Sequence, residues 1–170
     1  MADAPVPEVV VEAAANNDAA TFIGPKAEYY IPAFQRIDAT GSMVSWNWSA
    51  FIGGILWMLY RKMYLYALIA WVACIVIGFI PVIGQISWIV QAVAFGILGN
   101  WLYKKKVEEE LAAAATLDPA ARAAQFAKRG GITWVPVIIV GVLTALALCA
   151  LIAGSAILAA IFASGSVNYY

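Results

Sequence analysis

Two long stretches without a charged side chain limit what this chain can fold into. Residues 63–103 carry no Asp, Glu, Lys or Arg, and neither do residues 132–163. A helix needs about 20 apolar residues to cross the hydrocarbon core of a bilayer. With 64% hydrophobic residues in 170, the chain has more apolar surface than a soluble domain of this size can bury. We therefore expect an all-α integral membrane protein.

Breaks within these stretches divide them into helices. Pro81, Gly84 and Gln85 interrupt the first stretch, so residues 63–103 are expected to form a transmembrane helical hairpin. Residues 132–163 are too few for two crossings and a turn, and they predict one long, tilted transmembrane helix. A short outer tail follows at 164–170. These segments give three transmembrane helices.

A further apolar segment, AFIGGILWMLY at residues 50–60, is too short to cross a bilayer by itself. Extending it back to Met43 gives sufficient length but brings in polar residues, including Asn47. Two interpretations remain open, a re-entrant or interfacial half-helix, which we favour, and a fourth spanning helix. The region 27–62 that contains it is expected to be amphipathic or interfacial.

The other segments are polar. Residues 1–26 do not have the pattern of a secretory signal, because acidic residues occupy the place of its apolar core. They are expected to form a flexible acidic tail with some helical tendency near Glu8–Ala15. Residues 104–131 predict a helical insert. One helix continues from the membrane to about residue 116, and a second begins at Asp118–Pro119 and ends before Gly130.

Basic residues flank the predicted membrane helices on one side only. By the positive-inside rule this side is cytoplasmic, so the 104–131 insert lies in the cytoplasm and the C-terminus lies outside. The N-terminus lies inside if residues 43–60 are re-entrant and outside if they span. The residues that we take as topology determinants are Arg61, Lys62, Lys104, Lys105, Lys106, Lys128 and Arg129.

The chain has no histidine, which excludes histidine general bases and histidine metal ligands. We identify no catalytic, cofactor-binding or metal-binding residue, and no pattern for nucleic-acid binding. Small and amide side chains inside apolar segments instead favour close helix packing and hydrogen bonds between helices. The helix-packing candidates are Gly96, Gly141, Gly154, Asn47 and Asn100.

The string SWNWSAFIGGILWMLYRKMY at 45–64, preceded by AEYYIPAF, resembles the core of a family of small bacterial inner-membrane proteins. That family is catalogued as a domain of unknown function. Asn100, Tyr103 and the Gly130–Gly131 pair resemble its later landmarks, whereas lysines follow Tyr103 where relatives often carry a histidine. The resemblance implies a multi-pass protein of the bacterial inner membrane and implies no activity.

The function expected from these features is that of a non-catalytic inner-membrane accessory or scaffold protein. The last helix, about 48 Å long against a hydrocarbon core of about 30 Å, has small-residue faces suited to protein contact. The expected partners are the lipid bilayer and a membrane protein or a second copy of the chain. The alternative is a subunit of an oligomeric small-solute channel or transporter.

Overall fold

The computed structural model describes residues 8–80 and 83–165, and no strand occurs among them. The prediction of an all-helical chain is therefore confirmed for this part. The helices are α1 (Glu8–Ile23), α2 (Ala27–Thr40), α3 (Trp48–Tyr60), α4 (Tyr64–Gly78), α5 (Ile83–Ala114), α6 (Pro119–Arg129) and α7 (Val135–Gly165). They divide into two compact units, the first ending at Thr133 and the second beginning at Trp134.

Two helices are long and apolar enough to cross a membrane. They are Ile86–Ala114, with a mean hydropathy of 1.3, and Val135–Ala163, with a mean hydropathy of 2.8. The expected third span is not confirmed, because α4 ends at Gly78 after 15 residues. At 1.5 Å per residue α4 is about 22 Å long, short of a hydrocarbon core of about 30 Å. The predicted turn at 81–85 and the outer tail fall largely outside the described residues.

Within the region 1–26, where a flexible tail was predicted, the structure has a helix over Glu8–Ile23. The helix is held at its C-terminal end, where Phe22 and Ile23 are fully buried. The Phe22 ring lies edge-on against Phe126 of α6, with centroids 5.7 Å apart. The expected helical tendency near Glu8–Ala15 therefore extends to Ile23, because the buried residues that anchor the helix, Phe22 and Ile23, come at its end.

We call α1, α2, α6 and residues 104–114 of α5 the helical cap. Ion pairs tie its helices together. Arg122 meets Asp18 at 3.1 Å, Lys104 meets Asp38 at 2.7 Å, and Arg129 meets Glu110 at 3.3 Å. The N-terminal helices and the predicted insert therefore lie at the same end of α5.

Helix α3 is broken in its middle. Gly54 has φ 48° and ψ −124°, outside the helical region and reachable at low energy only by glycine. A Cβ at Gly99 would meet Ala50, and one at Gly54 would meet Phe95, so the first half of α3 approaches the middle of α5. Beyond Gly54 the direction reverses, since Trp57 packs on Tyr103. The segment thus runs out along α5 and comes back.

Both predicted helices of the insert are present, and only the end of the first is shifted, from about residue 116 to Ala114. Helix α5 continues to Ala114, and α6 begins at Pro119 after Asp118, whose carboxylate accepts hydrogen bonds from the Ala120 and Ala121 amides at 3.0 Å. Proline at the first helical position and aspartate before it are the pattern that the sequence shows.

Candidate functional site

Asn47 and Asn100, which are 53 residues apart in sequence, form a buried amide pair. Asn47 caps α3, because its Oδ1 accepts from the Ala50 amide at 2.9 Å, and its Nδ2 donates to Asn100 Oδ1 at 2.9 Å. Asn100 Nδ2 donates in turn to Ser45 Oγ at 2.9 Å. Both residues were predicted as helix-packing candidates, and the structure brings them into direct contact.

Glycines on α5 allow α3 to approach closely. A Cβ at Gly96 would lie 3.0 Å from Phe51 Cβ, and one at Gly99 would lie 2.6 Å from Ala50 Cβ. Gly96 was predicted as a packing residue, whereas Gly99 was missed, although the spacing Gly-x-x-Gly-Asn at 96–100 carried the signal. A backbone hydrogen bond also connects the start of α3 to α5, because the Asn47 amide donates to the Gly96 carbonyl at 2.7 Å.

Arg61 follows α3 and is only 3% exposed. Its Nη1 donates to the Ile23 carbonyl at 3.3 Å and to the Pro25 carbonyl at 3.4 Å, between α1 and α2. The guanidinium carbon lies 4.5 Å from the centre of the Tyr30 ring and 5.1 Å from that of Tyr103. Such stacking on aromatic faces suits arginine, which is more weakly hydrated than lysine.

Among the side chains that the structure describes, in residues 13–80 and 86–163, no carboxylate pairs with the positive charge of Arg61, and its buried Nε makes no hydrogen bond to them. Removing one ion from water into a protein interior costs free energy on the order of several kcal/mol unless an opposite charge pairs with it. Backbone carbonyls and aromatic faces offset part of this cost. Arg61 was predicted only as a topology determinant, and no sequence pattern indicated its burial.

A cavity of about 360 Å³ opens beside this guanidinium. Both ends of the broken α3 and the start of α2 line it, which is possible because α3 turns back at Gly54. We call it the arginine pocket. Its lining residues are Pro25, Lys26, Tyr29, Tyr30, Asn47, Trp48, Ser49, Trp57, Tyr60 and Arg61.

Lys106 lies beyond the apolar part of α5 and fixes the backbone that carries Arg61. Its Nζ donates to the carbonyls of Arg61 at 2.7 Å, Lys62 at 3.1 Å and Arg129 at 3.4 Å. Burial is the main cause that lowers the pKa of Lys106 to about 8, with the cations Lys62, Arg61 and Arg129 adding to it and Glu110 opposing it. Lys106 therefore joins the end of α3 to the end of α6.

Three of the predicted topology determinants, Arg61, Lys104 and Lys106, are buried rather than solvated. Three lysines, Lys104 to Lys106, are each followed four residues later by a glutamate, but of these pairs only Lys104 with Glu108 forms an ion pair in the described part of the chain. Lys105 instead lies 4.7 Å from the Trp101 ring centre, and Lys62 Nζ donates to the Lys128 carbonyl at 3.1 Å. Helical spacing alone did not reveal these competing partners.

The two remaining packing candidates lie in the second unit. Gly141 and Gly154 belong to α7, and a Cβ at either position would meet no atom within 4 Å. The candidate span in α7 is 0% buried. These glycines are separate from the arginine pocket, which belongs wholly to the first unit.

No protein family, curated protein or solved structure gives a significant match to this chain. The resemblance of residues 45–64 to a domain of unknown function remains a prediction. The described residues define a class of protein: an all-helical chain in which two helices are long and apolar enough to cross a membrane.

Proposed function

We propose that this chain is a non-catalytic accessory or scaffold protein of the bacterial inner membrane. The observation that carries the proposal is the exposed apolar surface of α7, whose candidate span has a mean hydropathy of 2.8 and is 0% buried. Such a surface requires lipid or a partner protein around it. The open space at Gly141 and Gly154 supports a close helix partner on that surface.

In this proposal α3 is re-entrant and does not cross the bilayer. Two features support this topology, the reversal of α3 at Gly54 and the packing of the N-terminal helices in the same helical cap as α6. The helical cap then lies in the cytoplasm. Helices α4 and α5 form the hairpin, with the short α4 beginning near the cap, where the Tyr66 hydroxyl donates to Glu109 at 3.1 Å.

The test is purification from membranes in a mild detergent, with four variants compared for what co-purifies. Gly141→Leu and Gly154→Leu add bulk on the small-residue faces, whereas Leu148→Ala and Ile161→Ala remove bulk elsewhere on α7. We expect a stoichiometric membrane-protein partner that the glycine variants lose and the other two retain. Carbonate extraction of each variant checks that membrane integration is unchanged.

Two outcomes would contradict the proposal. A homogeneous assembly of copies of this chain that conducts a small solute in proteoliposomes would favour the channel or transporter alternative. Loss of the partner in Leu148→Ala and Ile161→Ala, with retention in the glycine variants, would place the interface on the bulky face and remove the main support for the scaffold.

A further inference from the structure

We infer that the arginine pocket binds a phosphate ester. The pocket has a volume of about 360 Å³, which is within the range of small-molecule binding sites, and Arg61 lies on its wall. Two sources can supply this chemistry, the headgroup of an anionic phospholipid and a soluble glycerol phosphate. The inference concerns a ligand of the first unit, and only its lipid source rests on the proposed membrane function.

Charge is the first argument for an anion. The wall of the pocket contains two cationic side chains, Lys26 and Arg61, and no Asp or Glu. Arg61 is almost completely buried and has no ion pair within the described residues. An anion in the pocket would supply the missing counter-charge and offset the desolvation of the guanidinium.

Hydrogen-bonding capacity is the second argument. The buried Nε of Arg61 makes no hydrogen bond in the described part of the chain, while its Nη atoms are engaged by backbone carbonyls at the long distances of 3.3–3.4 Å. Guanidinium groups bind phosphate through paired, charge-assisted hydrogen bonds. The hydroxyl of Ser49, at the exposed rim of the pocket, adds a neutral donor.

The remaining wall selects for an ester over free phosphate. Trp48, Trp57 and Tyr60 give one side of the pocket an aromatic surface, and these rings favour the carbon part of a glycerol ester. The volume is also several times that of one phosphate group. Trp48 is exposed, as is Lys26, so the pocket is open for entry.

The binding test uses the full chain in an uncharged detergent and isothermal titration with glycerol 3-phosphate. Inorganic phosphate, glycerate and glycerol are the comparison ligands. We expect glycerol 3-phosphate to bind more tightly than inorganic phosphate and glycerate, and glycerol not to bind. Equal binding of glycerate would overturn the assignment to phosphate, and absence of binding by both phosphate ligands would overturn the site.

The lipid arm uses nanodiscs of phosphatidylcholine with and without phosphatidylglycerol, followed by native mass spectrometry of the released protein. Retention of phosphatidylglycerol that glycerol 3-phosphate displaces identifies the headgroup as the source. Binding of glycerol 3-phosphate without such retention identifies the soluble ester. Both results support the phosphate site. This arm and the titration need no protein partner, so their failure is distinguishable from failure of the scaffold proposal.

Variants locate the site. Ser49→Phe fills the exposed rim without removing a charge, and we expect at least a tenfold loss of affinity, roughly the effect of one lost charge-assisted contact. Lys26→Gln is expected to weaken binding about threefold to tenfold, as for a screened charge. Lys105→Gln is the matched control, since it also removes one exposed lysine charge, from a residue that lies outside the pocket.

Arg61→Gln is expected to abolish binding. Because Arg61 also holds the α1–α2 connection, this variant is interpreted only if its unfolding temperature is close to that of the wild type. If it does not fold, Ser49→Phe and Lys26→Gln decide the question. Equal losses in Ser49→Phe, Lys26→Gln and Lys105→Gln, or no loss in the first two, would overturn the pocket as the binding site.

Discussion

Asn47 and Asn100 are buried amides on different helices, and each satisfies polar atoms of the other segment. Asn47 caps α3 with its oxygen and donates to Asn100 with its nitrogen, while Asn100 donates to Ser45 and to the Trp46 carbonyl. Removing one member of such a pair leaves the other without its partner in an environment poor in water. That cost, about 1–3 kcal/mol, exceeds the net gain of a typical hydrogen bond.

A double-mutant cycle tests this pair. We expect Asn47→Ala and Asn100→Ala each to lower the free energy of unfolding by about 1–3 kcal/mol, because each leaves a buried amide without its partner. The double variant should lose less than the sum, with a coupling of about 1 kcal/mol for contacting residues. Denaturant unfolding in detergent measures all three, with Asn17→Ala, an exposed asparagine on α1, as the control.

Additivity of the two substitutions would contradict a direct amide pair. The sequence singled out both asparagines, because an amide in an apolar segment needs a partner. It did not pair them, since no periodicity relates positions so far apart. Burial of Arg61 was likewise invisible in sequence, where an arginine next to Lys62 at the end of an apolar run has the pattern of a solvated flanking charge.

At the scale of helices, the bend in α3 determines where the residues of the arginine pocket lie. Because Gly54 reverses the segment, both of its ends reach the start of α2 and enclose the arginine pocket. The sequence predicted that this segment was too short to span, and the Gly53–Gly54 pair carried the signal for the break. The direction of the bend depends on packing against α5, which hydrophobic periodicity does not encode.

Gly99 tests the packing of α3 on α5. A Cβ there would lie 2.6 Å from Ala50 Cβ, a backbone-proximal atom that cannot rotate away. We expect Gly99→Ala to lower the free energy of unfolding by about 1–3 kcal/mol through overpacking. Gly78→Ala is the matched control, since a Cβ at this helical position meets nothing within 4 Å. Thermal unfolding in detergent compares the two.

The difference between these variants isolates the steric effect. Alanine gains up to about 1 kcal/mol of helix propensity over glycine at Gly99, inside α5, and less at Gly78, the last residue of α4, so the measured difference is a lower bound on the steric cost at Gly99. Equal stability of Gly99→Ala and Gly78→Ala would show that α3 does not approach α5 as closely as the structure has it.

At the scale of the whole molecule, the distribution of basic residues predicted which side faces the cytoplasm, but it left the N-terminus undecided. The helical cap relates the N-terminal helix α1 to α6 of the insert, because Asp18 of α1 pairs with Arg122 of α6 and Phe22 packs on Phe126. Such contacts are possible only if α1 and α6 are on the same side of a membrane. Sequence analysis missed them because it predicted a flexible tail for residues 1–26.

Sidedness is therefore the prediction that tests the topology as a whole. Single cysteines at Asn17, Thr116 and Asn168, in a background with Cys74→Ser and Cys149→Ser, report α1, the insert and the C-terminal tail. We expect an impermeant thiol reagent to label position 168 in intact spheroplasts, and positions 17 and 116 only after the membrane is opened. Positions 17 and 116 should agree, because the cap joins them.

Two other labelling patterns would contradict this topology. Labelling of position 17 in intact spheroplasts with protection of position 116 would mean that α3 spans the bilayer and that the helical cap does not exist in the membrane. Protection of position 168 in intact spheroplasts would place the C-terminus inside, and α7 would then not cross in the direction that the basic residues predict.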